Sequence, residues 1–511
     1  MVGSHSNSCK RLRSISMCRI LAARSGWWPE ATSSKGWRGM LIAKDGWMGR
    51  SFLCALFLYC TFVLIRPVAA CETKTGSEKR AQVLVAQETP TVTPPSTQTP
   101  EPASNPPVTN AKTETEQYTL SHERYEKAVA YSRASYAVYF VWVFLGMIVV
   151  WLFLRFGIAA RMRDFAERIT ENRFLQGLIF IPILLIAAEI LELPVSIYWH
   201  SLSLQYQQSV QGWGSWMKDW AKEVGLVLLV ALVLGSILLF LIRWSPGRWW
   251  LHFWACALVV FFFLFFISPW FIDPLFYKYE PLDKTNPELV TAIEKVTKRA
   301  GLSIPRDRMF LMRASAKNNQ INAYVTGVGT SKRVVVWDNT INKTTQDETL
   351  FIFGHEAGHY VLGHVRNGFL FFSVAFFIAM YACFRVVHTL LGRWGPEWKV
   401  YGPQDLACLA VLLLIFRIFS FVGTPVESAF SRMQEHNADV FGLEIIHGIV
   451  PNSTEVAAHA FQILGQEDLA DPNPPPFITF WLYSHPPLAE RLLFAHTYDP
   501  WSKNEPTKYV K

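Results

Sequence analysis

Long apolar runs separated by polar stretches set the pattern of this chain from residue 136 onward. Runs near 136–157, 174–197, 224–243, 249–271, 367–391 and 405–424 are each close to the roughly 20 apolar residues a helix needs to cross ~30 Å of hydrocarbon. Six membrane-crossing helices are predicted. Between the fourth and fifth runs lies a polar region, about 275–365. There Pro287–Ala300 has helical spacing and stops at Gly301. Arg308–Arg313, Ile321–Thr326 and Arg333–Trp337 are short, largely apolar runs that read as strands. The segment Gly327-Val328-Gly329-Thr330 predicts the turn joining the last two, and the proline-free Asp347–His364 predicts another helix. Glu189 and Glu192 fall inside the second apolar run. A lipid-facing charge there is costly, so they are expected to face a polar interior or, failing that, to snorkel toward the interface.

Composition agrees with a membrane protein. Of 511 residues, 51% are hydrophobic, 14% aromatic and only 17% charged. The net charge of +8 is misleading, because residues 1–50 hold nine Lys/Arg against two Asp/Glu and the remainder is nearly neutral. A nucleic-acid partner needs a basic face on the folded body, and is excluded on that ground. Cysteines are confined to the N-terminal region (Cys9, Cys18, Cys54, Cys60, Cys71) and to apolar segments (Cys256, Cys383, Cys408). The polar region between the runs has none, so neither a disulfide framework nor a thiol nucleophile is expected there.

The N-terminal part has its own pattern. Residues 1–47 are basic and without apolar periodicity, which predicts disorder or a start placed too far upstream. Residues 48–71 read as a signal sequence ending at Val68-Ala69-Ala70 before Cys71, a bacterial lipoprotein pattern, or as an uncleaved first membrane helix. Residues 72–117 are Thr/Pro/Glu/Gln-rich and predict a solvated linker. The signal reading implies a bacterial inner membrane. Arg155, Arg161, Arg163, Arg168 and Arg173 follow the first core span, Arg243 and Arg248 flank the next connection on that side, and Arg393 and Lys399 the last. If basic loops are cytoplasmic, the polar region faces outward.

Candidate chemistry sits in His355-Glu356-Ala357-Gly358-His359. On a helix, positions i and i+4 share a face, so both imidazoles can reach one ion. Zinc accepts such nitrogens at ~2.0–2.1 Å, and a catalytic site keeps three protein ligands and an open position. Glu356 is placed to take a proton from water attacking a carbonyl. His364 fits the same helix but not the same ion, and is expected at the helix end or behind the ligands. A third ligand is expected from Ser431–Asp439, where Glu435 and Asp439 are again i and i+4, one to bind metal and one to orient an imidazole. His436 is the rival ligand, a quarter-turn off that face. An extended peptide can pair with an exposed strand edge at Asn322–Val325.

These residues carry a family resemblance. HEAGH with Leu362-Gly363-His364, Ser431-Arg432…Glu435…Ala438-Asp439, Asn322-Ala323-Tyr324…Gly327, Lys332–Val336 and Tyr483-Ser484-His485-Pro486-Pro487…Arg491 resemble the type I CAAX prenyl proteases, over about residues 120–494. The resemblance implies one Zn2+ per chain on His355, His359 and Glu435, with Glu356 as general base and Asp439 behind the ligands. It implies catalytic roles at the reacting carbonyl for His485 and Arg491, substrate backbone along Asn322, Ala323 and Tyr324, and, against the charge pattern, a catalytic lobe facing the cytosol, so both orientations stay open. Ala357, Tyr360, Gln434 and His436-Asn437 depart from the residues usual in the family, which bears on substrate choice rather than on hydrolysis.

The expected fold is mainly α: a polytopic membrane helical bundle enclosing a chamber, with a small α+β zincin-like catalytic lobe. The expected organisation is membrane helices over 118–274, the lobe over 275–366, two membrane helices over 367–424, ligand-bearing C-terminal helices over 425–500 and a tail over 501–511. The expected function is a membrane zinc metalloendopeptidase acting on peptide or protein substrates, prenylated or membrane-embedded. The alternatives are a quality-control protease with no prenyl requirement and a non-catalytic zinc-stabilised scaffold.

Overall fold

The computed structural model describes residues 118–327 and 332–511. The expected leader, signal-like segment and linker, and the turn residues Val328–Thr330, lie outside the described residues. The fold is mostly helical. Among the described residues, six helices are long and apolar enough to cross a membrane, and each matches one of the six predicted runs. Four precede the lobe: α1 (His122–Arg155), α3 (Arg173–Gln205), α4 (Trp213–Trp244) and α5 (Trp249–Ile267), with the short amphipathic α2 (Ile158–Ile169) between the first two. The lobe follows with β1 (Tyr279–Pro281), α6 (Pro287–Arg299), β2 (Met309–Met312), β3 (Ala323–Thr326), β4 (Arg333–Trp337) and α7 (Gln346–Val361). Then come α8 (His364–Trp398) and α9 (Cys408–Ile446), and finally α10 (Ser453–Glu467), α11 (Pro476–Leu482) and α12 (Leu488–Thr497).

The sheet order is β1-β2-β4-β3. β3 pairs antiparallel with β4, Ala323 opposite Val336, while β2 runs parallel to β4. One face, with Leu311, Ala323, Val325, Val334 and Val336, is buried against α6 and α7. The other carries Met312, Tyr324, Val335 and Trp337. β3 is therefore an edge strand. All three predicted strands form; β1 was not anticipated, because three residues ending in Pro281 leave no alternation to read.

Two expectations change. Asp347–His364 is not one helix. α7 stops at Val361, Gly363 adopts φ +71°, and His364 opens α8 in a new direction. Glycine takes that left-handed conformation without steric cost. The sixth apolar run also does not end at 424, since α9 continues as one helix of 39 residues to Ile446 and carries Glu435 and Asp439 into the lobe.

At the far end from the lobe, Arg155 pairs with Glu397 at 3.2 Å, and Arg163 donates to Asp405 at 2.7 Å and to the Lys399 carbonyl at 2.9 Å. These contacts join the α1–α2 corner to the α8–α9 connection. Mid-bundle, Arg417 of α9 donates to Glu192 of α3 at 2.7 Å, both side chains buried. Gly146 of α1 makes room for that guanidinium: a Cβ there would stand 1.6 Å from its Nη1. Glu189 accepts from the Trp220 indole at 2.9 Å. Both glutamates face inward, and the snorkelling alternative is set aside. Removing one member of a buried pair leaves an uncompensated charge, so Glu192→Ala should cost about 3–5 kcal/mol. Glu192→Leu with Arg417→Leu should cost much less, and thermal unfolding in detergent of Glu192→Ala and the double variant measures the difference.

Candidate metal centre

Helix α7 begins where its sequence says it should. Thr345 Oγ1 accepts from the Glu348 backbone N–H, and Glu348 Oε2 accepts from that of Thr345, a reciprocal cap that fixes the first turn. Two turns on, Gly354 and Gly358 face α9, where they meet Ile445, Gly442 and Phe441; a Cβ on Gly442 would lie 2.9 Å from the His355 backbone nitrogen. The missing side chains let the two helices touch. That contact brings Glu435 to the histidine pair.

His355 Nε2 and His359 Nε2 are 3.0 Å apart. Glu435 Oε2 lies 3.1 Å from the first and 3.6 Å from the second. Donors ~2.0–2.1 Å from a tetrahedral zinc stand about 3.3 Å from one another, so this triangle has the size of a zinc site. Its chemistry also fits. His355 Nδ1 is 2.7 Å from Asp439 Oδ1, and His359 Nδ1 is 2.8 Å from His364 Nδ1. With those protons held at Nδ1, each ring presents a lone pair at Nε2. Two lone pairs and a carboxylate then converge in a buried space, which is repulsive unless a cation sits among them. Burial alone works to lower the His355 pKa, but its bonds to Asp439 and Glu435 prevail and push it up to about 9. The site attracts positive charge.

Glu356 is the other acid in reach, its Oε1 4.0 Å from His355 Nε2 and its side chain 21% exposed, against 5% for Glu435. The nearer and drier carboxylate is the better ligand, and the more open one is placed for water. The rest of the surroundings is a set of supports. Arg491 of α12 donates through Nε and Nη2 to Asp439 at 2.9 and 2.6 Å. His485 stands half exposed with Nε2 3.2 Å from Glu435 Oε1. His436 turns its ring against Phe494 instead.

The comparisons agree with this geometry. Residues 283–498 match the model of peptidase family M48, and residues 108–278 match the CAAX prenyl protease N-terminal model, described as five membrane helices. The uncharacterized metalloprotease YhfN of Bacillus subtilis is 33% identical over 72% of this chain and 85% of its own length. The chain belongs to peptidase family M48.

Other relatives of this M48 protein include the CAAX prenyl protease 1 homologs of Dictyostelium discoideum, 27% identical over 64% of this chain and 75% of theirs, and of Homo sapiens, 26% identical over 63% and 74%. The fold is that of the crystal structure of S. mikatae Ste24p, with a TM-score of 0.60 at 22% identity, covering 74% of this chain and 89% of that one. The protein is thus an integral multi-pass membrane metalloendopeptidase with a metal cofactor and a peptide or protein substrate.

The structure brings His355, Glu356, His359, Glu435, Asp439, His485 and Arg491 of this M48 chain into one cluster. Asn322 stays exposed at the head of β3, its backbone N–H and carbonyl both bonded to Thr340 Oγ1, with Ala323 and Tyr324 following in the strand. One placement differs from expectation. Arg491 meets Asp439 rather than the open side, because a buried guanidinium needs an anionic partner and Asp439 supplies a bidentate one. Arg432, named in the sequence motif but given no role there, holds the His485 loop through the Thr479 and Tyr483 carbonyls at 3.0 and 2.6 Å. Its i, i+3 spacing from Glu435 was the available signal. Asp439→Asn should weaken metal retention by about 10–100-fold while the protein stays folded; chelator titration with metal analysis measures it.

Proposed function

We propose that this is a zinc metalloendopeptidase in which His355, His359 and Glu435 hold one zinc and Glu356 is the general base. The observation that carries the reading is the convergence of three buried donor atoms within 3.0–3.6 Å, with a second, more open carboxylate beside them. When bound, zinc polarises a carbonyl and acidifies water. The Glu356 carboxylate accepts a proton from the attacking water and returns it to the amine nitrogen as the C–N bond breaks. His485 donates toward the charge that develops on the carbonyl oxygen. Asp439 keeps the His355 proton at Nδ1, and Arg491 acts through Asp439 as a positioning residue.

The substrate lies extended along β3. The Trp337 N–H donates to the Asn322 carbonyl, so by antiparallel alternation Tyr324 and Thr326 turn their backbone groups toward β4, and Ala323 and Val325 turn theirs away from it. Those outward groups are free to meet a peptide backbone. Prenylated C-terminal tails are the substrate class proposed, on the strength of the relatives' names.

Glu356→Gln should reduce kcat by at least about 10²-fold, the scale of a positioned general base, with zinc content unchanged. Wild-type turnover in that variant refutes the assignment. A prenylated peptide should be cleaved faster than its unmodified twin. Equal rates would favour the quality-control reading, with the same zinc chemistry and no lipid requirement.

A further inference from the structure

We infer that the cavity between the outer face of the sheet and the lobe-side ends of α3, α4 and α5 is a specificity pocket for a large aromatic side chain of the substrate, tyrosine foremost. The inference rests on the reading that substrate pairs with the β3 edge. A strand added there continues the pleat, so every second substrate side chain emerges on the sheet face that Tyr324 and Thr326 occupy. That face looks into a cavity of about 540 Å³, a volume within the usual range for ligand sites.

The walls state the chemistry. His200 of α3 stacks on Trp216 at 4.9 Å and meets Trp213 edge-on at 4.7 Å. Trp216, Trp220 and Phe276 line the cavity together with Tyr324 and Trp337 of the sheet. Rings so arranged offer faces and edges to another ring. The charged groups on the walls are already engaged. Asp219 accepts from Lys317, Lys222 and Gln211, Asp273 from Ser268 and Arg333, and Glu223 also has a partner. A charged side chain would find no open counter-ion, whereas an uncharged ring would.

Two buried polar atoms on these walls are unpaired. His200 is only 3% exposed, and its Nε2 has no hydrogen-bond partner among the described residues; nor has Trp337 Nε1, and both residues line the cavity. Buried polar groups are almost always paired, so these two ask for a ligand group that can bond to them. A phenolic hydroxyl both donates and accepts. Aliphatic side chains fill such a space but leave both nitrogens as they are.

The test uses the full-length zinc-loaded protein in detergent and one cleavable peptide, varied one position at a time among Ala, Leu, Phe and Tyr. At one position Tyr and Phe should exceed Ala in kcat/KM by about tenfold or more, with Leu between, a discrimination apolar pockets achieve. Tyr should also exceed Phe. Leu226→Trp fills the cavity and His200→Phe removes the polar atom. The first should collapse the Tyr/Ala ratio and the second the Tyr/Phe ratio, each read within one protein so that overall losses cancel. Cleavage with a flat profile at every position of the wild type overturns the pocket while leaving the protease reading intact, as does a preference unchanged in Leu226→Trp. Absence of any cleavage by the zinc-loaded protein overturns the protease reading, and the pocket with it.

Discussion

The metal centre depends on one close contact, the approach of α7 to α9 at Gly354, Gly358 and Gly442. Helices with ordinary side chains at their contact keep their axes 8–10 Å apart. Here a single Cβ on Gly442 would press on the His355 backbone. Without that approach Glu435 would stand too far from the imidazoles to share an ion, and Asp439 could not reach His355 Nδ1. Everything buried in the centre then has to balance in charge. Asp439 answers to Arg491 and His355, while Glu435, beside the two imidazoles, would answer to the proposed cation. Arg491 in turn lies against the Phe461 ring at 4.2 Å, which ties α12 and α10 to the same point. A small set of contacts thus joins four helices at one centre.

The centre is also continuous with the membrane part. α9 is one rod, clasped at Arg417 by Glu192 of α3 and bearing Glu435 five turns later. α8 begins at His364, which backs His359, so the first residue of a membrane-length helix belongs to the centre. A site on helices is held more precisely than one on loops. The fixed length of α9 sets the separation between the Arg417 clasp and the metal, and the Gly146 gap lets α1 close over the clasp.

Much of this was legible in the sequence, for identifiable reasons. Six long apolar runs and three short ones bounded by polar residues are local signals, and both kinds of element formed where they were read. The i, i+4 pairs His355/His359 and Glu435/Asp439 needed only helix geometry to share faces. What stayed hidden depends on partners distant in sequence. Nothing local says that Arg491 spends its donors on Asp439, that Arg417 answers Glu192, or that Gly442 must be small. The break at Gly363 had a local signal, glycine before a second helical run, but the apolar periodicity on both sides outweighed it.

Sheet edges attract other strands, and proteins usually blunt them with proline, charge or brevity. β1 is blunted in all three ways: it has three residues, ends in Pro281, and its Glu280 is paired with Arg313. β3, the opposite edge, carries Ala323, Tyr324, Val325 and Thr326, with neither charge nor proline. It lies against the helix of the histidine pair and borders the aromatic cavity. An edge left adhesive beside a hydrolytic centre fits a strand that holds extended peptide. Its asymmetry with β1 has no packing explanation, since the buried face of the sheet would be served as well by a charged or proline-bearing outer strand. The proposed pairing of substrate backbone with β3 would account for the difference.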